Sequence, residues 1–251
     1  MRNLRSRSLG ALGLTASCVS LALGVPGPAS AAGRRHAPSS HAGPALPAPA
    51  PHTLAYRVIH MRGSLGHGAH GPAVRLLQDE LARRRYEVPV NGVFDEATGR
   101  AVLAFRKIVG LQRVETANAG VFQRLRDGAG YYSVRFRRDG AHVEANLTKQ
   151  VLVEVQHGRV RRIYTMSSGK PSTPTVLGHF QVYMKSPGTN SEGMVDSNYF
   201  IRGYAIHGYA EVPVYAASHG CLRIPIPDAP QVYAWVQVGY WVDVYTEGGV
   251  F

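Results

Sequence analysis

The sequence predicts a multi-domain protein in which a small three-helix bundle precedes a mainly-β, sandwich-like domain. Three observations carry that expectation. Apolar residues recur at helical spacing from Arg62 to about Asp127, the period changes to two from Tyr131 onward, and an Ala/Pro-rich stretch precedes both. The divisions that follow are residues 1–31, 32–60, 61–128 and 131–246.

Residues 1–31 carry Arg2, Arg5 and Arg7 without an acid, then an apolar run from Leu9 to about Val25, then Ala29-Ser30-Ala31. That order reads as a removable secretory signal. Gly10, Gly13 and Gly24 interrupt the run, which is short for a bilayer span. Lipidation at Cys18 fits less well, because Thr15 stands where an aliphatic residue is expected and apolar sequence continues past the cysteine. The expectation is export, secreted or held at the cell wall, without a stable membrane span. Residues 32–60 contain Pro38, Pro44, Pro47, Pro49 and Pro51 and little to bury, which predicts a semi-rigid linker.

In the helical segment Pro72 suits a first helical position, and Val74, Leu77 and Leu81 follow on one face. Asn91-Gly92 marks a turn. Asp95 is placed to cap a second helix whose stripe is Val102, Phe105 and Val109, with Gly110 to stop it. A third helix is expected from about Thr116 to Leu125. Three short helices read as an independent bundle, and His67 and His70 in the preceding loop read as solvated rather than as metal ligands.

In the second segment, Val134/Phe136, Val143/Ala145/Leu147, Val151/Val153/Val155, Val160 to Met166, Phe180/Val182 and Trp241 to Tyr245 read as strands. His157-Gly158 reads as a hairpin tip. One helix is expected from a cap at Asp228 through Val232, Trp235 and Val236 to Gly239. Gly169 to Gly178 is a Pro/Thr turn region. Lys185 to Asn198, with Pro187, Gly188 and Gly193, lacks periodicity and is expected to be a flap.

Formal charge is +12, and loss of three arginines with residues 1–31 leaves +9. An exported protein seldom meets nucleic acid, so anionic wall polymer is the more accessible partner of this field. The charge is diffuse, densest at Arg83-Arg84-Arg85 and Arg161-Arg162, and reads equally as solvated faces.

After removal of residues 1–31, Cys221 is the one remaining thiol. It is open to four readings: a buried hydrophobe, an intermolecular bridge, a metal ligand or a nucleophile. His207, His219 and Cys221 supply zinc-ligand types, but a fourth ligand at typical spacing is lacking. A nucleophilic role needs thiolate, and a neighbouring imidazolium with backbone dipoles lowers a thiol pKa from about 8.5 to about 3.5–7.5. His207 ends the strand-like Tyr204-Ala205-Ile206, and the Gly208 carbonyl is free to orient its ring. Gly220 permits a left-handed backbone that aims successive N–H groups, including that of Cys221, at one point. In a strand-like continuation Arg223 lies on the side of Cys221.

Two resemblances cover nearly all of the chain after residue 60. Gly71-x-x-Val74-x-x-Leu77-Gln78-x-x-Leu81, followed by Asn91-Gly92-Val93-Phe94-Asp95-x-x-Thr98-x-x-Ala101-Val102-x-x-Phe105, resembles the peptidoglycan-binding module of wall hydrolases and transpeptidases. Arg106 stands where that family has glutamine. His207-Gly208 with Ser218-His219-Gly220-Cys221-Leu222-Arg223 resembles the active-site pattern of the L,D-transpeptidase catalytic domain. Asn146 to Leu152 and Ser168 to Phe180 extend the likeness, with Val176 replacing a frequent proline.

The resemblance implies that Cys221 attacks residue 3 of a peptidoglycan stem tetrapeptide, releases D-alanine and forms a thioester. An acceptor amine then resolves it into a 3→3 cross-link. It implies proton transfer by His207 with Gly208 as its orienting partner, and oxyanion support from the backbone at His219, Gly220 and Cys221. Ser218, His219 and Arg223 would shape the site. No metal or organic cofactor is implied; the partners are donor and acceptor stem peptides and glycan, met by a monomer. An L,D-carboxypeptidase using the same thioester, and a non-catalytic wall-binding protein, are the alternatives.

Overall fold

A computed structural model of the chain describes residues 63–137 and 140–249. The expectations for residues 1–31 and 32–60 lie outside them. Among the described residues no helix is long and apolar enough to cross a membrane.

The helical module contains α1 (Pro72–Arg83), α2 (Glu96–Val109) and α3 (Ala119–Arg126). Pro72 opens α1, where its missing N–H would have had no helical partner. The Asp95 side chain accepts from the Thr98 N–H at 2.8 Å to cap α2, and Gly110 ends that helix in the left-handed region at φ 71°. Asn118 caps α3.

Two sheets follow. The five-stranded one runs β3 (Arg159–Thr165), β2 (Val151–Gln156), β1 (Ala141–Asn146), β9 (Trp241–Tyr245), β4 (Gly178–Gln181). The four-stranded one runs β5 (Met184–Thr189), β6 (Val195–Ile201), β7 (Tyr204–Tyr209), β8 (Leu222–Pro225), and α4 (Ala229–Trp235) follows β8. The predicted β2–β3 hairpin forms, with His157 at φ 51° and Gly158 at φ 69°, the paired positive values a tight hairpin turn requires.

Alternation along β2 explains how the layers join. Val151, Val153 and Val155 pack with Ile163 against Leu77, Leu81, Phe94 and Phe105 of the helical module. Leu152 points the other way and packs with Val143, Val242 and Val244 against Phe200, Ile206, Leu222 and Ile224 of the second sheet. The order is therefore helices, five-stranded sheet, four-stranded sheet. The bundle expected to be independent instead shares its core with the sheet. The segment after α1 also covers the β3 edge, through Ile163 N–H to Arg85 O (2.8 Å) and Glu87 N–H to Ile163 O (3.1 Å).

Three elements differ from the sequence reading. Val134/Phe136 form no strand, because the Arg135 and Phe136 N–H groups donate to the buried Glu144 Oε1 at 2.8 and 2.7 Å, and Val134 packs into the helical core. Lys185 to Asn198 is not a structureless flap but most of the β5–β6 hairpin, whose bulged pairing hides the period of two. Asp228 precedes α4 but makes no side-chain cap; its carboxylate pairs with Arg100 at 3.2 Å, and the helix ends at Trp235, before Gly239.

Candidate active site

The pairing of β7 with β8 assembles the site. The strands run parallel, with His207 opposite Arg223. Residues paired across strands share a face, as do residues two apart, so Cys221 just before β8 joins them. These three line a cavity of about 210 Å³ with Ser218, His219, Tyr209 and the hairpin residues Glu192 and Met194. Larger clefts, of about 550, 440 and 410 Å³, contain no cysteine, and of these only the last has a histidine, His157 at the β2–β3 hairpin tip. Chemistry rather than volume singles out the small one.

His207 is buried, with Nδ1 2.9 Å from the Gly208 carbonyl. A carbonyl only accepts, so Nδ1 carries the proton and Nε2 is the acceptor. Burial pushes the His207 pKa down to about 4, with the Gly208 bond opposing and the Arg223 charge adding to the shift. Gly208 itself cannot bear a side chain, since a Cβ there would lie 2.7 Å from the Ala229 Cβ.

Burial also pushes the Cys221 thiol up; a hydrogen bond from the Ala205 backbone and the Arg223 charge oppose this, and Glu192 adds to it. Both shifts favour the uncharged forms, thiol and neutral imidazole, and run against the lowered thiol pKa that a neighbouring imidazolium would give: burial outweighs the nearby cation at Cys221 and desolvates His207 too.

Gly220 adopts φ 122°, and a Cβ there would sit 2.5 Å from the Tyr204 ring. Its N–H donates to Ser218 Oγ at 3.0 Å, and that hydroxyl donates to the Cys221 carbonyl at 2.6 Å. The amide of Gly220 is thus engaged inside the loop. Ser218 is buried and closes the turn, while His219 is exposed with Nε2 3.1 Å from Lys170 Nζ. The Arg223 guanidinium lies over the Tyr209 ring, 4.0 Å from its centroid.

The Gly/Thr/Pro segment braces this loop. Ser167 exchanges two backbone bonds of 2.9 Å with Arg223, the Ser168 carbonyl accepts from Ala217 and Ser218, and Lys170 N–H donates to Ser218 O. Sequence reasoning missed Tyr209, Glu192 and Met194. Tyr209 was accessible, two residues beyond His207 on the same strand. Glu192 and Met194 arrive by tertiary folding alone, on a hairpin tip where Asn190 Oδ1 accepts their N–H groups at 3.0 and 2.9 Å. Among the described residues no group of three or more His, Cys, Asp or Glu is placed to hold a metal ion.

Comparison with known proteins matches residues 140–244 to the L,D-transpeptidase catalytic domain and residues 70–116 to a peptidoglycan binding domain. Among solved structures, an L,D-transpeptidase from Xylanimonas cellulosilytica is 32% identical, with a TM-score of 0.68 over 74% of this chain and 98% of its own. An L,D-transpeptidase from Stackebrandtia nassauensis is 20% identical over 74% of this chain and 97% of its own, with a TM-score of 0.46. No curated protein matches the sequence. At the identity and coverage of the first of these, this chain belongs to the L,D-transpeptidase family, with a peptidoglycan-binding domain ahead of the catalytic one.

Proposed function

We propose that the chain is a peptidoglycan L,D-transpeptidase with Cys221 as nucleophile and His207 as general base and acid. The observation that carries this is the common face of Cys221, His207 and Arg223, with the His207 ring turned by the Gly208 carbonyl. As Sγ attacks the carbonyl carbon of stem residue 3, His207 Nε2 takes the thiol proton. The tetrahedral oxyanion receives the Cys221 N–H, since that of Gly220 is engaged by Ser218. Arg223, braced on Tyr209, meets a substrate carboxylate. The C–N bond breaks, the imidazolium protonates the departing D-alanine amine, and a thioester remains. A neutral side-chain amine from residue 3 of a second stem then attacks, gives its proton to His207, and expels the sulfur, which recovers that proton. The peptidoglycan-binding domain delivers the enzyme to glycan, and the N-terminal signal delivers it outside the cell.

The test is incubation of the mature protein with disaccharide-tetrapeptide, read by mass spectrometry, with Cys221→Ala alongside. A dimer lacking one D-alanine is expected. A tripeptide without dimer would mean hydrolysis of the thioester, the L,D-carboxypeptidase outcome. Absence of both products, together with an unchanged intact mass after carbapenem treatment, would rule out the catalytic role.

A further inference from the structure

Lys107 projects from α2 of the peptidoglycan-binding domain and is only 2% exposed. Its ammonium makes three hydrogen bonds, to Gln150 O (3.0 Å), Met166 O (3.0 Å) and Thr165 Oγ1 (2.6 Å), all in the catalytic domain. Three donors meet three acceptors, none of them a carboxylate. Burial pushes its pKa down to about 7, with the Arg113 charge adding and the Glu115 charge opposing. A lysine held against that cost is not a default choice for packing a helix face.

From Lys107 a continuous chain of hydrogen bonds leads to the nucleophile. Gln150, a non-glycine residue at φ 58°, donates through Nε2 to Ser168 Oγ (2.7 Å) and accepts the Ser168 N–H at Oε1 (2.9 Å). The Ser168 carbonyl receives the N–H groups of Ala217 and Ser218, and Ser218 Oγ donates to the Cys221 carbonyl. Arg113, just beyond α2, grips the same loop near its start by donating to Val214 O (2.8 Å).

We infer that Lys107 is a positioning residue, which holds the Cys221 loop in attacking geometry through Gln150 and Ser168 and so makes the wall-binding domain a working part of the catalytic site. The inference rests on the reading of Cys221 as nucleophile. The experiment follows carbapenem acylation of the full mature chain, separating the limiting rate from the half-saturating concentration. Lys107→Met is expected to lower the limiting rate by about ten- to a hundredfold, the scale of a small misplacement of a reacting group, with half-saturation and sedimentation with purified sacculi unchanged. Adding Gln150→Leu should lower it little further, because both act through one network. Arg100→Ala, which breaks another link between the domains at Asp228, should lower the melting temperature and leave the rate alone.

A wild-type rate in Lys107→Met overturns the inference, as does an equal rate loss in Arg100→Ala. If Lys107→Met does not fold, Thr165→Val removes one acceptor of the same ammonium, and a wild-type rate there is equally fatal. If the wild type itself is not acylated, the nucleophile reading fails separately. Loop geometry is then judged by the amide NMR shifts of His219 and Gly220, which Lys107→Met must move and Arg100→Ala must not.

Discussion

The two sheets of the sandwich contain similar residues and put them to different uses. In the five-stranded sheet β2 is buried from Val151 to Val155, and Glu144, paired with Val153 on the helix-covered face, is fully buried with it. That carboxyl group serves the fold: Glu144 receives the Arg135 and Phe136 N–H groups and the Tyr132 hydroxyl. In the four-stranded sheet β8 alternates, with Leu222 and Ile224 in the core and Arg223 facing the cavity. A face covered by helices makes polar groups structural. A face left open leaves polar groups lining a cavity.

The sharpest break of this contrast is chemical. Cys221→Ala should abolish carbapenem acylation, a loss of about 10⁴-fold or more, without changing the melting temperature. His207→Gln should cost about 10²–10⁴-fold. Because the His207 pKa is depressed to about 4, its neutral, basic form prevails above that pH. Acylation should rise as pH passes about 4 and stay level until the thiol ionises, beyond its ordinary range. A bell centred near neutrality would instead mean a standing ion pair. The same depression affects stability. Unfolded His207 takes a proton below about 6.5, so its contribution is full above that pH and is lost as pH falls through about 4.

Next in size is Gly220→Ala, where positive φ and the Tyr204 ring both oppose a Cβ. Acylation should fall by about tenfold or more as the loop shifts, and a wild-type rate would show that the loop geometry does not matter. On the platform side, Leu81→Ala should cost about 2–5 kcal/mol. Calorimetry should still record one transition, because Leu81 shares a core with Val153. Two separated transitions would mean that the helices fold alone. The smallest effect is expected at the hairpin tip. Glu192 raises the Cys221 pKa from an exposed position, so Glu192→Gln should speed acylation at neutral pH about two- to threefold.

Much of this was legible along the chain. The α1 stripe, the Asp95 cap, the Gly110 stop and the His157-Gly158 hairpin follow from residues within one turn or one pairing of each other. Cys221, His207, Gly208 and Arg223 were legible as candidates because they fall in two short segments, His207-Gly208 and Ser218 to Arg223; residues 210–221 separate the strands, and only the parallel pairing sets His207 opposite Arg223. The β5–β6 hairpin was not, because its pairing is bulged and half-exposed, leaving no apolar alternation to read. The apparent strand at Val134/Phe136 misled because a distant carboxylate, Glu144, takes the backbone donors that a ladder would use.

The sequence by itself determined the succession of a helical module and a β domain, the family, and which residues are candidates for chemistry, since each depends on local pattern or on neighbours in the chain. Tertiary structure alone decided that helices and sheet share one core, that Glu192 and Met194 reach the cavity, and that Lys107 is buried against Gln150 and Met166. It also decided the direction in which the Cys221 and His207 pKa values move. Solvent exclusion sets that direction, and it arises only when residues far apart in the chain close around the two side chains.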